Sequence, residues 1–196
     1  MLTTSRRPSR NTRRLVKALA KLIPGSVKIN RGKLTFKLLA LQALDLSYDK
    51  LIVVRNRKGN PGYLDLYVVR PPGELIKECT LNLCGYNIAD SYSKVTNVKR
   101  VLLNLVPTLL SDTGVENIDV VLKTRILECI IKMFNVTVVR KDADTKKDAR
   151  DICMYIVVHT SAKKNRSTKR KLFEIEFTGC SNSEKYLTLS ICKYGS

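Results

Sequence analysis

The stretch TTSRRPSRNTRRLVKALAKLIPGSVKINRGK, from Thr3 to Lys33, carries ten Lys or Arg and no Asp or Glu, yet a regular apolar pattern runs through it. Leu15, Val16, Leu19, Leu22 and Ile23 recur at helical spacing, and Pro24-Gly25 stops the run. The spacing predicts a helix from Ser9 or Asn11 to Ile23. Arg10, Arg14, Lys17 and Lys21 fall at i, i+4, i+7 and i+11, so they form one cationic stripe on its outer face. Like charges so spaced repel one another, which costs stability unless an anion is near. The segment therefore folds through its apolar side and holds its charge ready for a polyanion.

Working outward, MLTTS (Met1 to Ser5) and SVKIN (Ser26 to Asn30) read as strands on either side of this helix, with Val27 and Ile29 on one face. RGK turns the chain, and Thr35 is placed to cap a second helix running through Leu46. KLIVVRN (Lys50 to Asn56) is a β-branched strand. KGNPG (Lys58 to Gly62) is a turn signal, and YLDLYVVR (Tyr63 to Arg70) pairs back as a hairpin. The first seventy residues thus read β-α-β-α-β-turn-β, closed by PPG (Pro71 to Gly73).

The second half is less regular. ECTLNLCGYNI alternates as a strand does, while KRVLLNLVPTLL is ambiguous because Pro107 breaks any helix there. DVVLKTRILECIIKMF (Asp119 to Phe134) reads as a buried helix feeding the strand NVTVVR, and KDADTKKDARD as a charged loop. Three further strands follow, in ICMYIVVHT, KLFEIEFTG and KYLTLSICKY. The pattern reads as α/β in two halves of similar make-up, and the length suits one domain or two small ones.

The chain has 196 residues and a formal charge of +19, from 36 Lys and Arg against 17 Asp and Glu. Such an excess speaks about partners rather than fold, and the natural partners are nucleic acid or an anionic membrane surface. No run approaches the ~18 apolar residues of a spanning helix, and no signal-peptide pattern follows the basic N-terminus, so a cytoplasmic protein without a membrane partner is expected. The six cysteines, Cys79, Cys84, Cys129, Cys153, Cys180 and Cys192, include no CxxC pair, so no metal site is signalled. They read better as small buried apolar residues. The lone histidine, His159, sits in a predicted strand and cannot by itself complete a catalytic triad. Neither GxxxxGK[ST] nor GxGxxG occurs. No cofactor, small-molecule substrate or enzyme activity is indicated.

Two basic elements carry the positive reading. The first contains Arg6, Arg7, Arg10, Arg13, Arg14 and Lys17, with Lys28, Arg31 and Lys33 from the next strand and turn. The second is the loop segment with Lys163, Lys164, Arg166, Lys169, Arg170 and Lys171. Such side chains neutralise phosphates and release counterions. Aromatic residues are not interleaved with them, so contacts to backbone and shape are expected rather than a base-stacking platform.

TTSRRPS (Thr3 to Ser9), Pro24, INRGK (Ile29 to Lys33) and RKGNPGYL (Arg57 to Leu64) together resemble the Brix domain superfamily, and within it the archaeal proteins related to the Imp-type component of the small-subunit processome. The motifs cover about the first seventy residues. The resemblance implies a non-enzymatic ribosome-biogenesis factor that binds ribosomal RNA or its precursor, with other assembly factors or ribosomal proteins as further partners. It also implies an α/β fold of one domain over residues 1–196, made of two similar halves, 1–73 and 74–196, each a mixed sheet packed with helices and similar to the anticodon-binding domain of class II aminoacyl-tRNA synthetases. Motif positions carried over are Ser5, Arg6, Pro8, Ser9, Asn30, Arg31, Gly32, Gly59, Pro61 and Gly62, with Arg57 and Lys58 as cations of the last motif. One departure is PPGELIKEC, which has only Gly73 where relatives show Gly-Pro-Thr.

Overall fold

The computed structural model describes residues 1–104, 117–139, 148–158 and 171–192. Among them are nine strands, three α-helices and one short 3-10 helix, Asp90–Lys94. The chain divides into two compact units, one of Met1–Ala20 with Gly25–Leu81, the other of Lys21–Pro24 with Asn82–Ser196.

In the first unit β1 (Leu2–Thr4) runs parallel to β2 (Lys50–Arg57), and β2 pairs antiparallel with β3 (Asn60–Arg70). Leu51, Ile52, Val53 and Val54 are all buried. Four consecutive buried residues need cover on both faces of a sheet. Helix α2 (Phe36–Asp45) covers one face, packing Leu39, Ala40 and Ala43 with Leu51, Val53 and Val69. The predicted cap is present, since the Thr35 hydroxyl accepts from the Leu38 N–H at 3.3 Å. Helix α1 (Arg10–Leu22) lies on the other face: Thr12 donates to Asn56 Oδ1, and Asn56 follows Ile52 and Val54 at the two-residue period. Leu15, Val16, Ala18 and Leu19 are fully buried, so α1 folds through its apolar side as its spacing predicts.

Two local expectations change. Ser26–Asn30 is not a strand; only Lys28 forms a bridge, parallel to Leu2. The Leu2 N–H donates to the Val27 carbonyl and the Ile29 N–H to the Leu2 carbonyl, both at 2.8 Å, but the Thr3 hydroxyl then takes the Ile29 carbonyl at 2.9 Å. A side chain thus uses an acceptor that a longer ladder would need. The hairpin turn is also shorter than Lys58–Gly62. Lys58 and Gly59, with φ of 50° and 80°, make a two-residue turn, and Asn60, Pro61 and Gly62 already belong to β3. The register shifts opposite Arg55 and Asn56, and a Cβ on Gly62 would stand 2.3 Å from that of Arg57.

Strand β4 (Glu74–Ile88) begins in the first unit and passes into the second after Leu81. There it pairs antiparallel with β9 (Lys185–Cys192), which pairs with β8 (Lys171–Gly179), and β8 with β7 (Asp151–Val158), all antiparallel. β5 (Arg100–Asn104) lies parallel to both β7 and β6 (Thr137–Val139). Helix α3 (Asn117–Phe134) buries Cys129, Ile130, Met133 and Phe134, and Phe134 meets Phe177 edge-on at 5.2 Å. Pro107, the charged loop through residue 147, His159 and residues 161–170 lie outside the described residues.

The cysteines depart from their expected role. Cys84 bonds to Cys192, tying β4 to β9, and Cys153 bonds to Cys180, tying β7 to the turn after β8. Cys79 and Cys129 are disulfide-bonded as well, and no free cysteine remains among the described residues. Cys84 is exposed, so burial is not what these residues have in common.

Candidate nucleic-acid interface

The N-terminal motif is a scaffold before it is a charge. Ser9 is the N-cap of α1, its hydroxyl accepting from the Thr12 N–H at 3.1 Å. Asn56 donates to the Arg7 carbonyl at 2.9 Å, and Asn11 donates to Asn60 at 2.8 Å. Ser5 donates its N–H to the Val54 carbonyl at 2.9 Å. The hairpin tip therefore clamps the loop Ser5–Ser9 and the start of α1. This explains why the two motifs, some fifty residues apart, occur together.

From this scaffold the cations project unevenly. Arg6, Arg13, Lys28, Asn30 and Arg31 come together with Pro8 and Gly32 around a pocket of about 300 Å³, whose lining contains no carboxylate. Arg31 is only 7% exposed. Its Nε donates to the Leu34 carbonyl at 3.4 Å, and its guanidinium lies 4.4 Å from the centre of the Phe36 ring. Burial, and then the charge of Arg6, hold its pKa below the ordinary arginine value. Arg10, Arg14 and Lys17 are exposed along α1, outside the pocket; Arg7, Lys33 and Lys58 are exposed on the neighbouring loops and turn, and Arg57 at the end of β2. Helix α1 has no acid in its first turn, where Arg10 and Arg13 stand against the positive end of the helix dipole.

Other cations are already engaged. Lys21, read as part of the stripe, is half-buried; it donates to the Ser93 carbonyl at 2.9 Å and lies 5.5 Å from the Tyr92 ring centre. Arg55 stacks on Tyr63 at 4.4 Å and bonds the buried Asp65, which also accepts from Thr80 at 2.6 Å and pairs with Lys77 at 3.1 Å. Desolvation would raise the Asp65 pKa, but Arg55, Thr80 and Lys77 together outweigh it and lower the value. In the second unit Lys171 is held by Glu174 at 2.6 Å, while Lys163, Lys164, Arg166, Lys169 and Arg170 fall outside the described residues. Arg6, Arg7, Arg10, Arg13 and Lys17, by contrast, form no ion pair among the described residues.

Sequence reasoning missed Phe36 and the anchoring side chains Asn11, Asn56 and Asn60. Phe36 carried a partial signal, an aromatic residue five positions after Arg31 at the start of the expected second helix, but its stacking on Arg31 depends on tertiary packing. The asparagines carried none, because each looks like an ordinary turn residue.

A basic face on a mixed α/β fold defines a candidate polyanion-binding protein. No protein-family profile matches the chain. Its curated relatives are archaeal Brix domain-containing ribosomal biogenesis proteins. The probable protein of that name from Aeropyrum pernix is 42% identical over 71 residues, 36% of this chain and 39% of that protein. The one from Archaeoglobus fulgidus is 38% identical over 87 residues, 44% of this chain and 51% of that protein. The matched stretch thus spans about two fifths to one half of the length of these relatives. Among solved structures, a probable ribosomal biogenesis protein from Aeropyrum pernix superposes with a TM-score of 0.70 at 20% identity, covering 100% of this chain and 96% of that one. Mil, an archaeal Imp4-like protein, gives 0.60 at 18% identity, covering 98% and 96%. The Brix resemblance of the motifs is thus shared with named relatives, and the fold is that of the Imp4-like proteins. No helix among the described residues is long and apolar enough to cross a membrane.

Proposed function

We propose that this chain is a non-enzymatic, cytoplasmic ribosome-biogenesis factor that binds ribosomal RNA or its precursor through the basic face of the first unit, and assists rRNA processing or folding and subunit assembly. The observation that carries this reading is the one-sided charge of Thr3–Lys33, whose cations gather around a pocket without an acid and along an exposed helix face. The names of the relatives point the same way. The related-halves expectation for 1–73 and 74–196, each built like a synthetase anticodon-binding domain, belongs to this reading, and superposing the halves on such a domain tests it. Other assembly factors and ribosomal proteins are the further partners proposed.

The test is RNA binding as a function of salt. Affinity should fall steeply with ionic strength, because cation–phosphate contacts release counterions. Replacing Arg10, Arg14 and Lys17 together by Gln should flatten the log–log slope by roughly 2, at ~0.7 per contact on single strands and ~0.9 on duplex. An unchanged slope would mean that the helix face is merely solvated. Sedimentation of cell extracts separates a factor, found on precursor particles, from a permanent subunit protein, found on mature ones.

A further inference from the structure

Among the described residues, the two buried carboxylates have partners of opposite sign. Asp65 has Arg55 and Lys77, and the fully buried Asp151 takes Arg100 at 2.5 Å. Arg31 breaks this pattern. It is 93% removed from solvent, its one hydrogen bond among the described residues goes to a neutral carbonyl, its guanidinium stacks on the Phe36 ring, and the group that favours its charge is the Tyr67 phenol rather than a carboxylate. The charged groups that share its pocket are Arg6, Arg13 and Lys28, all of its own sign. A buried, unpaired charge is costly, and the cost is removed by an anion rather than by another side chain here.

The volume limits the choice. At about 300 Å³ the pocket is at the small end of ligand sites, too small for a folded RNA element and large enough for one phosphate with its sugar. A planar guanidinium presents a fork of donors that matches phosphate oxygens two at a time, and three such forks plus an ammonium suit a group with several oxygens. We propose that this pocket is a seat for a single phosphate group of an RNA strand, gripped by Arg31 with Arg6, Arg13 and Lys28. This rests on the RNA-binding reading above but assigns one defined site within it. The phosphate has two sources, an internal diester or a terminal monoester, which share the chemistry.

Calorimetric titration of the whole chain with sodium phosphate, against sodium chloride at equal ionic strength, tests the seat itself. Saturable binding of phosphate alone is expected. Arg31→Lys, which keeps the charge but loses the fork, should weaken it at least tenfold, and Arg6→Gln, in an exposed loop where folding is not at risk, at least threefold. Phosphate heats no different from chloride, or binding unaltered in a folded Arg31→Lys and in Arg6→Gln, would overturn the seat while leaving the general RNA reading intact. Two RNA oligonucleotides of one sequence, ending in a 5′-hydroxyl or a 5′-phosphate, then separate the sources. Tighter binding of the phosphorylated strand supports a terminal monoester; equal binding, with both strands displaced by inorganic phosphate, supports the backbone diester. If RNA binds but saturating phosphate displaces neither strand, the seat is not used for RNA and the inference fails. If phosphate binds and RNA does not, it is the proposed function that fails, and the RNA assignment of the seat with it.

Discussion

Asp65 shows how one carboxylate sets the geometry of the hairpin behind the basic face. It is 1% exposed and bonds to Arg55, Lys77 and Thr80, so it joins β3 to β2 and β4. Removing the charge of a buried carboxylate while its cations remain is strongly destabilising, so Asp65→Asn should cost about 3 kcal/mol in urea unfolding at neutral pH. The pH dependence has a definite sign. The folded-state pKa of Asp65 is lowered, so its contribution is fully present above the ordinary carboxylate value of about 4 and is lost as pH falls through the depressed one. Wild type and Asp65→Asn should therefore differ most at neutral pH and converge in strong acid; a constant difference would mean that the ion pairs contribute nothing. Glycines make a second residue-scale contrast. Gly62→Ala forces a Cβ within 2.3 Å of the Arg57 Cβ and should cost roughly 2 kcal/mol through overpacking. Gly32→Ala meets open space and is opposed only by its φ of +51°, at about 1 kcal/mol. Thermal melts of the two variants check that order.

At the scale of elements, α1 was readable because two independent signals agreed: apolar spacing fixed its buried side, and Pro24-Gly25 fixed its end. The Thr35 cap and β8 were readable for similar reasons, a polar cap before an apolar run and strict alternation in KLFEIEFTG. Ser26–Asn30 was not, because alternation reports which side is buried and not whether a neighbour offers a free backbone edge. Lys21 shows the same limit for charge. Helical spacing places it in the stripe, but only the fold brings Ser93 and Tyr92 to it. The pocket was half legible: Arg6, Arg13, Lys28, Asn30 and Arg31 were all named from sequence, whereas the burial of Arg31 and its stacking on Phe36 depend on tertiary packing. Ser9 separates scaffold from contact. As the N-cap of a helix with three cations in or near its first turn, it should cost about 1 kcal/mol when changed to Ala. Its effect on RNA affinity should be removed at a temperature where both proteins are fully folded. A loss of affinity that persists there, measured by fluorescence anisotropy, would make the hydroxyl a contact in its own right.

Across the whole molecule, the feature least visible in the sequence is the cross-linking. Spacing ruled out paired metal ligands but could not bring Cys84 to Cys192, which are 108 positions apart, because their meeting depends on β4 and β9 being neighbours. The same holds for Cys153 and Cys180, joined across the β7–β8 pairing. These bonds act chiefly on the unfolded chain, by removing the freedom of the loops that they close. In the chain-entropy model a loop of about a hundred residues is worth roughly 4–5 kcal/mol and one of about thirty roughly 3–4, as upper values before strain in the folded state is counted. Even a fraction of that is large against the 5–15 kcal/mol that holds a typical domain together. The basic face draws on none of these bonds directly, since its scaffold is the hydrogen-bonded clamp of Asn11, Asn56 and Asn60. Reduction should therefore lower the melting temperature markedly, by ten degrees or more on the order set by these energies, while RNA affinity at a temperature below the reduced protein's transition stays within about twofold. Melts and anisotropy titrations with and without a phosphine reductant, with thiol alkylation to confirm that the bonds are intact beforehand, check both halves of this expectation. An unchanged melting temperature would show that the cross-links do not stabilise the fold, and a collapse of affinity in still-folded protein would show that the basic face depends on them.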